Sequence, residues 1–228
     1  MKIEELIKLS ETLDAKGLIE SSYDLFKPKI IASTSFGITS GVIIDLICKL
    51  DLPIKIVYVN TGFFFKETLE YVETLKNIYK KANFVEVKAS EDKEIFLEKF
   101  GNDIFKKDPD FCCRERKVKP FHDYIRRNNI KAWISGIRKE QTDFRKKLNR
   151  IEILESGLVK IYPILNWTSK DVYNYMKDNN IPFHPLYEKG YTSIGCEPCT
   201  ELPDLYDERS GRWKGLCKKE CGLHLEIK

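Results

Sequence analysis

The sequence predicts an α/β fold, a mostly parallel sheet with helices on both faces. Three observations lead there. Short apolar runs alternate with amphipathic stretches of helical period over most of residues 29–135. Several of these runs end in small polar residues: Ser33-Thr34-Ser35, Asn60-Thr61-Gly62 and Gly136-Ile137-Arg138. The stretches between them are long enough to cross back over a sheet, which parallel pairing requires.

Taken in order, residues 3–26 read as one or two amphipathic helices, with Ile3, Leu6, Ile7 and Leu13 at helical spacing. Residues 29–32 form an apolar strand that runs into a hydroxyl-rich loop, Ser33-Thr34-Ser35-Phe36-Gly37-Ile38-Thr39-Ser40, and residues 41–50 read as a helix. Strand, tight polar loop and helix together set backbone N–H groups and a helix N-terminus against a phosphate. The loop lacks the Gly-Lys-Ser/Thr ending that grips a triphosphate and its magnesium. With no lysine and no acid it suits a phosphate or ribose, the alternative being an ordinary strand-to-helix turn. Residues 54–59 and 84–87 are strands, and 67–81 and 92–100 helices. Asp108-Pro109-Asp110 breaks the pattern. A helix follows over 118–127 and a strand over 131–135. The charged stretch 139–150 reads as an exposed, mobile loop. Residues 151–154 and 158–162 flank Glu155-Ser156-Gly157 as a hairpin. Thr168 and Asp171 open a capped helix that ends near Asn179. Beyond residue 181 periodicity fades. The division is a body of residues 1–205 and a tail of 206–228. Ligands of parallel sheets sit at the carboxyl ends of the strands, so the loops at 33–40, 60–62 and 136–138 should converge on one site.

With 228 residues, 42% of them hydrophobic, the chain suits one medium-sized domain that needs no disulfides. Its 39 basic and 35 acidic residues leave a net charge of +4. That is too balanced for a dedicated nucleic-acid binder, though a local basic pocket for a small anion remains open. The start, Met1-Lys2-Ile3-Glu4-Glu5, does not read as a signal peptide, and no apolar run is long enough to span a bilayer. The expectation is a cytoplasmic protein without a membrane partner.

Seven cysteines in a reducing compartment point to metal binding or catalysis. Cys196-Glu197-Pro198-Cys199 is a clasp that brings two sulfurs to one side. A second pair, Cys112-Cys113, lies upstream. Four cysteines suit an iron–sulfur cluster, with zinc as the alternative; the adjacent pair departs from the usual double Cys-x2–4-Cys of zinc sites. Cys221 stands apart, between Lys218-Lys219-Glu220 and Gly222, where positive charge would favour the nucleophilic thiolate; the alternative is an idle surface cysteine. Arg209 and Arg212 are a guanidinium pair suited to clamping a phosphate or sulfate, or else solvated charges. His224 is near enough to Cys221 to serve as acid, base or donor. His122 reads as structural, and His184 has no assigned role. Cys48, Trp133 and Trp167 read as core, Trp213 as an anchor for the tail, and Cys217 as a bystander or rival thiol.

Together these stretches resemble the assimilatory sulfonucleotide reductases, which reduce adenosine 5′-phosphosulfate (APS) or its 3′-phosphorylated form (PAPS) to sulfite. The matching pieces are Ser35-Phe36-Gly37, Asn60-Thr61-Gly62, Cys112-Cys113 with Arg116-Lys117 and Pro120, Gly136-Ile137-Arg138 with Gln141, and Pro163 with Trp167-Thr168. The densest are residues 190–200, Arg209-Ser210-Gly211-Arg212-Trp213 and Lys219-Glu220-Cys221-Gly222-Leu223-His224. The resemblance implies a Rossmann-like fold of the adenine nucleotide α-hydrolase type with a C-terminal tail carrying the catalytic cysteine. It implies a [4Fe–4S] cluster on Cys112, Cys113, Cys196 and Cys199, the mark of the branch that mostly uses APS. Cys221 would be the nucleophile. Lys117, Arg138, Arg209 and Arg212 would face the phosphosulfate, with Gly136, Ile137 and His224 also on the substrate. The loops of Ser33, Ser35, Phe36 and Gly37 and of Asn60, Thr61 and Gly62 would hold the adenosine. Thioredoxin or glutaredoxin would supply electrons; a homo-oligomer is compatible but not specified. Phe36-Gly37 resembles loops of PAPS users and dual-specificity members, so a PAPS or dual reductase is one alternative. Others are an ATP-dependent adenylating enzyme, against which the missing acid of the first loop counts, and a zinc-stabilised nucleic-acid module, against which the scattered basic residues count.

Overall fold

The protein is described here by a computed structural model covering residues 1–204, 207–216 and 218–224. Six strands form one sheet: β1 (Ile30–Ser33), β2 (Lys55–Asn60), β3 (Asn83–Lys88), β4 (Ala132–Ser135), β5 (Ile151–Ile153) and β6 (Val159–Ile161). Their spatial order is β3-β2-β1-β4-β6-β5. All neighbours pair in parallel except the hairpin of β5 and β6. Successive strand residues feed opposite faces. Ile30, Ala32, Ile56, Ala132 and Ile134 join one apolar core, whereas Ile31, Val57, Val59 and Trp133 join another. Helices cover both faces, which is why the central strands are apolar throughout rather than alternating.

The helices of the first core are α1 (Ile3–Ser10), α2 (Ala15–Phe26), α3 (Ser40–Lys49), α4 (Lys66–Ile78) and α10 (Ser169–Asp178). Thr168 and Asp171 close the capping box of α10 as its sequence requires. The second core is covered by α8 (Lys119–Arg127), through Phe121 and Ile125, and by Leu223 of the tail. The described part of the tail is therefore packed into the body. The 205/206 boundary read from the sequence lies outside the described residues. None of the described helices is long and apolar enough to cross a membrane.

Two segments depart from the sequence reading. Asp108 does not simply break the pattern: its side chain caps a short helix, α7 (Pro109–Cys113), by accepting from the Phe111 amide at 2.9 Å. A π-helical turn, Arg114–Val118, then joins α7 to α8. The charged stretch 139–150 is exposed over much of its length, as expected, but is not one open loop. Lys139–Gln141 form a 3-10 turn and Asp143–Lys146 the short helix α9, and Arg145 and Arg150 are buried. Arg150 donates to the carbonyls of Ser10, of Leu13 (2.6 Å) and of Pro163 (2.8 Å), so its charge is satisfied by backbone. Ser10 and Leu13 lie far away in sequence, beyond the reach of a local pattern.

Candidate active site

The order of strands reverses between β1 and β4, and the loops leaving their carboxyl ends diverge there. A crevice at this point is where open α/β sheets bind ligands. Here it is a cavity of about 150 Å³. Its walls include Ser33, Ser35 and Gly37 after β1, Gly136 and Ile137 after β4, Lys117 from the π-turn, and Arg209, Arg212, Cys221 and His224 from the tail. Gln141 and Arg145 also line it. Arg145 was missed as a site residue because the segment read as solvated; its only sequence signal was the nearby Gln141 motif.

The first loop is set by Phe36. This residue has φ of +51°, a left-handed conformation unusual for a bulky side chain. It is held there by burial. Its ring is fully buried, packs edge-on against Tyr58 at 5.0 Å and lies 6.1 Å from Phe84, and its amide donates to Thr34 Oγ1 at 3.1 Å. Phe36 thus shapes the loop from the core side and does not line the cavity. Ser33 Oγ accepts from Trp133 Nε1 at 2.7 Å, which fixes the base of the loop.

The Asn60 loop does not line the cavity either, although Val57 and Val59 of the strand before it do. It faces the cysteines instead. Asn60 Oδ1 accepts from the Gly62 amide at 3.0 Å, and Thr61 Oγ1 lies 3.3 Å from Cys196 Sγ. Arg116 ties this loop to the cysteine helix by donating to the Thr61 carbonyl from Nε (3.0 Å) and Nη2 (2.7 Å). Adjacent residues therefore divide their work: Arg116 braces, while Lys117 enters the cavity. Arg138 also points elsewhere. It sits in a smaller side pocket of about 90 Å³ with Tyr173, Phe183 and Tyr187, paired with Glu140 and, at 3.7 Å, with Glu208.

Charge in the main cavity is one-sided. Lys117, Arg145, Arg209 and Arg212 line it, and no carboxylate does among the described residues. Arg145 is paired with Glu220. Arg209 donates to Ser193 Oγ at 3.1 Å and to the Lys219 carbonyl at 3.3 Å. The Arg212 guanidinium lies 4.4 Å over the Trp213 ring. The Nε atoms of Arg209 and Arg212 are buried without a partner. Burial, with Arg145 and Arg212 adding repulsion, lowers the Arg209 pKa to about 10. Buried, unpaired donors of this kind call for an anion.

Cys221 is partly exposed at this cavity. Its thiol is held well below the ordinary value, first by a hydrogen bond from the Cys113 thiol, then by Lys117, the Leu223 amide and Arg212, against the opposing effect of burial. Lys218 does not supply this charge, being turned to Asp110 and to the Trp213 ring. The His224 ring stacks on Trp133 at 5.2 Å, and its Nδ1 is buried without a partner. Burial and the surrounding cations hold His224 neutral. Trp213 is buried and anchors the tail through its amide, which donates to the Cys199 carbonyl at 3.0 Å. Cys217 lies outside the described residues. His184 has a structural role: its Nδ1 accepts from the Leu186 amide at 3.1 Å, leaving Nε2–H to donate to Thr68 Oγ1 at 3.0 Å.

Cys112, Cys113, Cys196 and Cys199 gather beside the cavity. Cys112 and Cys196 share an apolar cluster with Phe63 and Phe96. Cys196 raises the pKa of Cys112, Cys113 and Cys199, with burial (for Cys113, the bond to Cys221 also) contributing more, while Arg116, Lys218 and Arg212 oppose it at one or another of these thiols. An all-sulfur donor set, an apolar wall and nearby cations suit a sulfur-ligated anionic centre. No three His, Cys, Asp or Glu side chains among the described residues converge as a binding set for one metal ion.

Comparison with known proteins agrees with this picture. Residues 29–202 match the family model described as phosphoadenosine phosphosulfate reductase domain. The chain is 42% identical over 207 residues to the adenosine 5′-phosphosulfate reductase of Lysinibacillus sphaericus (strain C3-41), covering 89% of this chain and 87% of that one. It is 36% identical over 221 residues to adenosine 5′-phosphosulfate reductase 2 of Bacillus subtilis (strain 168), covering 95% and 92%. Among solved structures it resembles phosphoadenylyl-sulfate (PAPS) reductase from Candida auris in a phosphate complex, with a TM-score of 0.74 and 28% identity over 86% of this chain and 96% of that one. The fold at the β1/β4 crevice, the cavity it creates and these relationships lead to one conclusion: the chain belongs to the phosphoadenosine phosphosulfate reductase domain family.

Proposed function

We propose that this protein reduces APS to sulfite and AMP in cytoplasmic sulfate assimilation, through a sulfonated Cys221. One observation carries the reading: a cavity lined by four cations and, among the described residues, no carboxylate, with the Cys221 thiol in its wall. The adenosine 5′-phosphosulfate reductases related to this chain at 36–42% identity support APS as the substrate.

The Cys221 thiolate attacks the sulfonyl sulfur. A carbon-bound sulfur gains an S–S bond, the S–O bond to the phosphate breaks, and AMP leaves with the electron pair. Lys117, Arg209 and Arg212 offset the charge that grows on the departing phosphate. A dithiol protein such as thioredoxin or glutaredoxin then attacks Cys221 Sγ and expels sulfite. Its second thiol resolves the mixed disulfide, leaving the carrier oxidised and Cys221 free. The substrate sulfur takes the two electrons. His224, held neutral, adds no charge to this step.

Cys112, Cys113, Cys196 and Cys199 would hold a [4Fe–4S] cluster. The donor set and the family resemblance support this, and each thiolate would serve its own iron rather than a single point. Bound in the cluster, Cys113 has no proton to donate to Cys221. Lys117, the Leu223 amide and Arg212 then remain to favour the Cys221 thiolate. The cluster would supply fixed negative charge and structural rigidity beside Lys117. A second reading is PAPS reduction, which the Candida auris structure supports. The deciding experiment incubates the full chain with APS, or with PAPS, in the absence of any dithiol. One sulfonate on Cys221 by peptide mass spectrometry is expected from APS. Sulfite release with no such adduct, or an adduct on another cysteine, refutes the mechanism; adduct formation from PAPS alone replaces the substrate.

A further inference from the structure

The chemistry above gives no role to Glu220, the residue before Cys221. Its carboxylate is buried and takes both N–H groups of one edge of Arg145, Nε to Oε1 at 2.9 Å and Nη2 to Oε2 at 2.9 Å. Thr142 Oγ1 donates to Oε1 at 2.5 Å. The Arg145 side chain is 6% exposed and that of Glu220 7%. A two-point, nearly dry ion pair is strong only while its geometry holds, and losing either partner strands a buried charge.

The position of this pair gives it leverage. Arg145 sits on α9 in the cavity wall, and a single peptide unit separates Glu220 from the Cys221 backbone. On the other side of Cys221, Leu223 is packed in the core, the His224 ring stacks on Trp133, and the His224 carbonyl accepts from Lys160 Nζ at 3.2 Å. Cys221 is thus held on both sides: after it by Leu223 and His224, and before it by the Arg145–Glu220 pair together with the Arg209 bond to the Lys219 carbonyl. The ion pair rests on a guanidinium that also faces the anion site.

We infer that the Arg145–Glu220 pair is a latch that seats Cys221 for attack and opens to present the sulfonated cysteine to the dithiol; this rests on the function proposed above. The thiol must be inside the cavity to meet the sulfonyl group and outside it to meet another protein. Sulfonation replaces the compact thiolate with a bulkier S-sulfonate of the same charge, whose three oxygens accept hydrogen bonds, one residue from Glu220 and within the same group of cations. The sulfonate then competes with Glu220 for Arg145 and loosens the latch at the stage when opening is needed. Glu220 is a positioning residue on this reading and does not touch the substrate.

The test follows Cys221 alkylation by iodoacetamide, read on its own peptide in the purified full chain. Glu220→Gln keeps the size of the side chain and removes its charge. It should speed Cys221 alkylation by about tenfold or more, slow single-turnover sulfonation by APS by a similar factor, and speed dithiothreitol reduction of the preformed adduct. AMP affinity should stay within about twofold. Glu220→Asp, which retains the charge on a shorter arm, should fall between the two in every readout and serves as the test if the glutamine variant does not fold. Parental alkylation and sulfonation rates in a folded variant would overturn the latch. So would a loss of AMP affinity equal to the loss of sulfonation with alkylation unchanged. If the parent chain takes no sulfonate from APS, the functional reading fails, and the alkylation comparison still decides the latch.

Discussion

Gly195→Ala is the sharpest test of the anion site. The Arg212 guanidinium occupies the space that a β-carbon on residue 195 would take: such an atom would lie 2.2 Å from Nη2, 2.4 Å from Cζ and 2.4 Å from Nη1. Ordinary van der Waals contact begins at 3.4 Å, so the guanidinium must retreat by 3.4 − 2.2, about 1.2 Å. That shift lifts it from its seat over Trp213 and away from the position where its buried Nε awaits a partner. A displacement of about 1 Å in a charge-stabilising group costs about 100-fold in rate, close to 2.7 kcal/mol. The expected result is therefore a 100-fold loss of kcat/KM for sulfite release, with the melting temperature nearly unchanged. A double-mutant cycle isolates the cause. Once Arg212 is replaced by alanine, adding Gly195→Ala should have no further effect, because the two changes act through one side chain. Parental kinetics in Gly195→Ala, or full additivity with Arg212→Ala, would refute the argument.

Three further outcomes follow from the same structure. Cys221→Ser should reduce sulfite release to background while AMP binding and any cluster absorbance persist; calorimetry and the visible spectrum check this, and loss of colour would contradict the separate roles of the cysteines. Phe36→Ala should destabilise the fold by about 3–5 kcal/mol in urea unfolding, since it empties a fully buried site and frees a loop held at positive φ. Acid should weaken the protein through His184. Burial lowers this group from 6.5 to about 4, so the unfolded chain binds its proton more readily than the folded one. The stabilisation is complete above pH 6.5 and is lost as pH falls toward 4, by about 2–3 kcal/mol. Urea unfolding at several pH values should show this slope, and His184→Phe should flatten it.

The parallel sheet was legible because its strands announce themselves: apolar runs too short for helices, several of them running into polar or glycine-bearing loops. The capping box at Thr168 and the hairpin around Gly157 were equally local signals. The tail cysteine and the two arginines could be named as candidates, and the structure brings all three to one cavity. Charged residues whose partners are remote were not legible. Arg145 meets Glu220 from 75 positions away and Arg150 meets Ser10 from 140, so both read locally as solvent-facing. Strand order was also hidden. Nothing local places β4 beside β1, and that neighbour relation puts the Gly136 loop in the cavity wall; nor does anything local tie the Asn60 loop to Arg116 and Cys196. For Phe36 the family resemblance implied ligand contact, whereas its geometry shows it shaping the first loop from the core side.

The packing of the tail also bears on how the molecule is made. A chain emerges from the ribosome amino end first, so the sheet, the hydroxyl loop and Lys117 all exist before Cys221 does. The nascent protein passes through a stage that has a cradle for an anion but no atom to react with it. A polypeptide terminated after Trp213 would lack the carboxylate that answers Arg145 and the leucine that covers the second core, so the last residues made complete the fold as well as the reactive site.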